Sequence, residues 1–267
     1  MNEKLLNLPP IAEMMREAGL EPKKQLGQNF LFDLNLTLKI ARAVPDIANS
    51  VVIEVGPGPG GLTRALLMSG AKKVIVIEKD KTAAPILEKI SAVADGRLEI
   101  IYGDALKLPS PAKGNYAICA NLPYNVGTEL LIRWLHDFKN VASMTLMFQR
   151  EVAERIVARV RHPQYGRLAV LISMVADAKI LFNVPNTAFV PQPKVQSAVV
   201  QIIPKNEKTV QLLSVEKLTA KLFGQRRKMI RGIMPDVDWA KFGLTGTERA
   251  EELSPQKFAE IACKIML

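Results

Sequence analysis

The sequence predicts an α/β protein: a mostly parallel, doubly wound sheet followed by a small all-helical part. Three observations carry that expectation. Short, near-continuous apolar runs rich in β-branched residues recur between Val51 and Phe148, as strands buried on both faces require. Helical patterns separate them, and strand alternating with helix marks parallel crossover units. Beyond about Lys205 only helical patterns remain.

Each element has a local reason. Pro9 to Leu20 reads as a short helix, with Pro10 near its start and Gly19 at its end. A polar link, EPKKQLGQNFLFD, leads to Asp33, which can cap a second helix through Ala43 that Pro45 stops. VVIEV (51–55), VIVIE (74–78), LEIIY (98–102), YAICA (116–120) and MTLMF (144–148) are the expected strands. Helices are expected around Leu62 to Met68, Ala84 to Ala92 and Glu129 to Leu135. Arg150 to Val160 and Gly166 to Val175 read as two more, and AKILFNV and SAVVQII as strands that extend the sheet antiparallel to their neighbours. IPKNEKT (203–209) is a polar linker, and helical patterns cover Val215 to Met234 and Pro255 to Met266. The chain therefore divides into residues 1–204 and a helical appendage over 205–267.

Composition narrows the function classes. At 267 residues the chain lies where one core stops growing and a second module often appears. With 48% hydrophobic and 23% charged residues it should fold as a globule. Lys and Arg total 36 against 26 acidic residues, a formal charge of +10 that favours a polyanionic partner. The longest apolar run, Leu168 to Ala176, is about half the ~20 residues a membrane span needs. The N-terminus carries Glu3 and two prolines and lacks a signal-peptide core, so a cytoplasmic protein with no membrane partner is expected. Cys119 and Cys263 lie far apart, Cys119 in an apolar strand. His136 and His162 have no carboxylate at ligand spacing and read as surface residues, so no metal is expected.

The chemistry concentrates where strands end. EVGPGPGGLT follows the first strand of the sheet and opens a helix, and Gly56, Gly58 and Gly61 fit G-x-G-x-x-G. Such glycines permit a tight turn, bring backbone close to a ligand and begin a helix with an electropositive end, which suits a nucleotide-containing cofactor or a purely structural turn. Glu78 ends the next strand, where a carboxylate can accept both hydroxyl hydrogens of a ribose or simply face solvent. Asp104 ends the third, in YGDAL, where it can receive an exocyclic amine such as adenine N6 or serve as turn chemistry. Together they line the carboxyl edge of successive parallel strands, where such sheets bind ligands.

A dinucleotide dehydrogenase uses the first two features but gives no reason for Asn121-Leu122-Pro123-Tyr124 after the fourth strand. A planar amine as substrate does. Adenine N6 shares its lone pair with the ring and becomes nucleophilic only when its hydrogens are held. The Asn121 side-chain oxygen and the Leu122 carbonyl are two suitable acceptors. Pro123 fixes φ and removes a competing donor, and Tyr124 offers a face on which a flipped base can stack. No general base is needed, because the nitrogen becomes acidic only once methylated. The alternative is a strand that ends in an Asn-Pro turn.

QLGQNFLFD, VIEVGPGPGGLT, GDAL, NLPYNVGTELL, MFQREVAERI, FVPQPKVQSAVV and GQRRKMIRGIM together resemble the KsgA/RsmA family, the small-subunit (16S) ribosomal RNA adenine N6,N6-dimethyltransferases. The resemblance runs from about Gln25 to Met234. It implies a Rossmann-like methyltransferase fold and S-adenosylmethionine as cofactor, held by Asn29, Leu31, Gly56, Gly58, Glu78, Asp104 and Asn121. It also implies that the segment around Gln28 to Leu31, by itself an ordinary linker, folds over that cofactor. The implied substrate is a pair of adjacent adenosines in the hairpin loop near the 3′ end of 16S RNA, presented on the small ribosomal subunit to a monomer. Phe189 in FVPQP matches the ring that grips the base opposite Tyr124, although alone it reads as a core aromatic.

Gly127 and Glu129 depart from the small hydroxyl residues and proline that many members carry there. Arg155, Arg159 and His162 fall at near-helical spacing. Arg226, Arg227, Lys228 and Arg231 place four cations in six residues on an expected helix, a pattern suited to RNA phosphate. Competing readings are a large-subunit RNA methyltransferase of the antibiotic-resistance kind, a nucleic-acid-binding factor without activity on the same fold, and an NAD-dependent dehydrogenase.

Overall fold

The computed structural model describes residues 3–22, 27–205 and 212–265. Its strands are β1 (Phe30–Leu31), β2 (Val51–Val55), β3 (Lys73–Glu78), β4 (Leu98–Tyr102), β5 (Tyr116–Asn121), β6 (Val141–Gln149), β7 (Ala176–Val184), β8 (Phe189–Val190) and β9 (Ser197–Pro204). Its α-helices are α1 (Glu3–Leu6), α2 (Ile11–Glu17), α3 (Leu34–Ala41), α4 (Gly61–Met68), α5 (Ala84–Ala92), α6 (Gly127–His136), α7 (Arg150–Val157), α8 (Arg167–Val175), α9 (Leu212–Phe223), α10 (Ile230–Ile233) and α11 (Pro255–Ile265).

The apolar runs form one sheet in the order β4-β3-β2-β5-β6-β9-β7. The first five strands are parallel, and β9 and β7 continue the sheet antiparallel, as AKILFNV and SAVVQII suggested. From β2 the chain steps outward to β3 and β4, then returns past β2 to β5. The carboxyl ends of β2 and β5 therefore flank a topological switch point, where open α/β sheets bind ligands. Side-chain alternation splits the core. Val52, Val74, Ala117 and Cys119 face one cluster with α2 to α5, and Ile53, Ile118, Ala120 and Val200 face another with α6 and α8.

The appended helices join that second cluster. Leu218 and Leu222 of α9 and Phe258 and Ile261 of α11 are fully buried in it. Phe223 stacks on Phe258 with ring centroids 5.6 Å apart. Each such side chain contributes roughly 1.5–3 kcal/mol, whereas a partly exposed ion pair, such as Arg167 with Glu216, is worth ~0–1 kcal/mol. Apolar burial therefore fixes the appendage.

Local differences have local causes. Asp33 caps α3 as expected, accepting from the Asn35 and Leu36 amides, but the helix ends at Ala41. α1, too short to show a period, is held by Arg64, whose guanidinium donates to the Leu6, Leu8 and Pro9 carbonyls. α7 ends at Val157 because Ala158 is extended, so Arg159 and His162 do not share its face. The pattern from Val215 to Met234 is not one helix. After Phe223 the chain turns, and Met229, extended, bridges to Arg249 before α10 begins. Part of each polar linker (residues 23–26 and 206–211) and Met266, the expected end of the last helix, lie outside the described residues.

Candidate active site

At the switch point a cavity opens along the carboxyl ends of β2 to β5. It is lined by ten of the residues expected from sequence: Asn29, Leu31, Gly56, Gly58, Glu78, Asp104, Asn121, Leu122, Pro123 and Tyr124. The glycine-rich turn follows from close packing. Gly58 has φ +52°, and a Cβ there would come within 2.6 Å of the Phe30 ring. At Gly61, the first residue of α4, a Cβ would lie 2.6 Å from the Leu31 carbonyl oxygen. Glycine thus lets the 27–31 segment lie directly on the turn.

Glu78 ties that turn to β3. Its carboxylate accepts from the Gly58 amide at 3.1 Å and the Asp80 amide at 2.6 Å. Burial raises its pKa, partly opposed by these bonds. Both oxygens keep lone pairs for ribose hydroxyls. Asp104 accepts from Lys79 Nζ at 3.0 Å and the Leu106 amide at 3.1 Å, and the lysine bond chiefly holds its pKa low. It therefore stays an acceptor, as an adenine amine requires. Two carboxylates at successive strand ends and a helix N-terminus beside a close-packed turn fit an adenosine-containing cofactor.

The next residues build the reacting end. Asn121 closes β5, and its Nδ2 donates to the Asn29 carbonyl at 3.0 Å. Pro123 turns the chain into α6, its carbonyl accepting from the Val126 and Gly127 amides. Gly127 is buried, and a Cβ there would lie 3.3 Å from both Leu122 Cβ and the Phe148 ring, so glycine starts α6 without pressing on either. The Tyr124 hydroxyl shares a 2.7 Å hydrogen bond with Ser197 Oγ, which is fully buried, and burial raises the phenol's pKa.

Two of the expected residues are already engaged within the chain. Phe189 is 2% exposed and does not line the cavity; β8 pairs antiparallel with β1, matching Phe30 with Val190 and Leu31 with Phe189. Its ring is packed in the core cluster instead of offering an open face to a base. Arg226 is partly exposed and held from one side: its Nε donates to Glu251 at 2.6 Å and its Nη2 to the Pro163 carbonyl at 2.7 Å. Arg227, Lys228 and Arg231 are exposed, on the turn and on α10 instead of a continuous helix.

Sequence reasoning passed over Glu54, which also lines the cavity and is 1% exposed. It accepts from Thr63 Oγ1 at 2.6 Å. Desolvation is the main cause that pushes its pKa up to about 8, and the charge of Glu78 adds to it. The acid in VVIEV was the available signal, since a strand buried on both faces has no solvated place for it.

Comparison with known proteins agrees with this geometry. The chain is 50% identical to "Ribosomal RNA small subunit methyltransferase A" of Chelativorans sp. (strain BNC1), over 97% of this chain and 98% of that one. It is 49% identical to the protein of the same name from Azorhizobium caulinodans, over 96% and 92%. Among solved structures it is similar to a dimethyladenosine transferase from Plasmodium falciparum, with a TM-score of 0.76, 25% identity and coverage of 89% and 97%. The fold is also that of the 23S rRNA methyltransferase ErmE, with a TM-score of 0.66, 21% identity and coverage of 90% and 100%. The family model described as "Ribosomal RNA adenine dimethylase" matches residues 19–266, and with the methyltransferase sheet, the acidic strand ends and the Asn-Leu-Pro-Tyr turn in place, the chain belongs to that family.

Proposed function

We propose that this chain transfers methyl groups to N6 of two adjacent adenosines in the hairpin loop near the 3′ end of 16S ribosomal RNA in the small subunit, giving N6,N6-dimethyladenosine. The observation that carries the reading is the Asn121 amide, whose nitrogen is held by the Asn29 carbonyl so that its oxygen remains as an acceptor beside Tyr124. The names of the relatives at 49–50% identity support the small subunit as the substrate.

S-adenosylmethionine, when bound, supplies an electrophilic methyl group on a sulfonium. Glu78 would accept from the ribose hydroxyls of that donor and Asp104 from its adenine amine. The chain's work on the substrate is then positional. Asn121 Oδ1 and the Leu122 carbonyl accept the two N6 hydrogens, which turns the nitrogen lone pair away from the ring and toward the methyl group. As the C–N bond forms, the bond between the methyl carbon and sulfur breaks and S-adenosylhomocysteine leaves with the electron pair; the nitrogen becomes cationic and its charge is stabilised by the same acceptors. It then loses a proton to solvent, so no side chain need act as base. Tyr124, anchored through Ser197, stacks on the base. Phe189, buried where β8 pairs with β1, would supply a second face only once its ring is uncovered.

We read residues 1–204 as the catalytic part and 205–267 as the part that docks on RNA, with Arg227, Lys228 and Arg231 toward phosphate and Arg226 as an internal tie. Replacing Asn121 by Ala removes one acceptor and should lower single-turnover methylation of small subunits by ~10²–10³-fold. An unchanged rate would remove Asn121 from the mechanism.

A further inference from the structure

One short segment touches both the glycine-rich turn and Asn121. Phe30 lies against Gly58, the Leu31 carbonyl against Gly61, and both residues pair with Phe189–Val190. In the same segment, the Asn29 carbonyl accepts from Asn121 Nδ2. A carboxamide has two ends of nearly equal shape and opposite hydrogen-bonding sense, so shape alone does not choose between its flips. A carbonyl can only accept, so the end that faces Asn29 must be the nitrogen.

We propose that the main-chain carbonyl of Asn29 is a positioning group for methyl transfer, fixing the flip of the Asn121 amide so that only its oxygen is presented to the incoming amine. This rests on the adenine-methylating reading above. The opposite flip would set an NH2 against the N6 hydrogens, donor against donor, and the lone pair would not be turned. The arrangement also explains why position 121 is Asn. A carboxylate would be the stronger acceptor for an amine hydrogen, but it has no hydrogen for Asn29 and would set oxygen against oxygen. The carbonyl cannot easily yield, because the adjoining residues are fixed by the β1–β8 pairing and the packing on the glycine-rich turn. Residue 29 therefore acts on the reaction through residue 121.

The test is Asn121→Asp followed across pH. Ionised, Asp cannot donate to Asn29. Protonated, its hydroxyl donates there while its other oxygen accepts the amine, and partial burial beside a carbonyl raises the pKa at which this occurs. Methylation of small subunits by the variant should be at least ~10²-fold below the parent at about pH 8 and recover ~10-fold or more, relative to the parent, by about pH 5.5. Calorimetric titration with S-adenosylmethionine at both pH values shows whether the donor still binds. A variant as fast as the parent at about pH 8, or one that binds donor yet is equally slow at both pH values, overturns the proposal. If circular dichroism shows that the Asp variant does not fold, Phe30→Ala decides, since it loosens the segment and leaves Asn121 intact. Its turnover at saturating donor should fall by ~10-fold, and an unchanged turnover with only a raised KM for donor also overturns the proposal. A parent protein that methylates no adenine would instead sink the reading of the reaction, so the two failures are distinguishable.

Discussion

Glu54 shows what a single residue can carry that the reaction does not use. Its folded pKa of about 8 lies above the ordinary 4.5, mainly through burial. Between those values the folded state keeps a proton that the unfolded chain has lost, so Glu54 lowers stability as pH rises through that window. Glu54→Gln should therefore melt close to the parent at about pH 5 and clearly higher at about pH 8.5, followed by circular dichroism. A gap that does not change with pH would contradict the burial argument. That Glu78, Asp104 and Asn121 would lie along one edge of the sheet was legible in sequence because each follows an apolar run at a strand end. Glu54 was not, because its meaning depends on what lies on both faces of β2.

Elements were legible in their interiors and less so at their ends. The five parallel strands fall where apolar runs predicted them, but β6 begins at Val141, earlier than MTLMF suggested. The Phe30–Leu31 and Phe189–Val190 pairing joins two-residue strands far apart in sequence, and so short a strand shows no alternation. That pairing changes the meaning of Phe189. If the ring is core, Phe189→Ala should cost ~3–5 kcal/mol in urea unfolding, and if the segment also opens to admit a base, the product should shift from dimethyl- toward monomethyladenosine. Unaltered stability would contradict the packing described here. The QRRK stretch misled for a related reason. Its helical spacing continues past Phe223, but Gly224 ends α9 and Arg226 is drawn to Glu251 and the Pro163 carbonyl.

Across the whole molecule, the formal charge of +10 suits a polyanionic substrate, but where it acts depends on which cations are already engaged. Arg226 is engaged, whereas Arg227, Lys228 and Arg231 are exposed. Replacing those three by Gln should weaken small-subunit binding and flatten its logarithmic salt dependence by about one unit for each phosphate no longer neutralised, with donor affinity retained. An unchanged slope would move the RNA surface elsewhere. The doubly wound class followed from alternating patterns alone. The order of the last strands did not, since only packing against β6 sets β9 inside β7. The central claim, dimethylation of adenine in small-subunit RNA, is tested most directly by incubating the protein with methyl-labelled S-adenosylmethionine and unmodified small or large subunits, then digesting the RNA and identifying the labelled nucleosides. The account predicts N6,N6-dimethyladenosine from the small subunit, confined to two adjacent positions near its 3′ end. Label in the large subunit alone, or on any atom other than adenine N6, would contradict it.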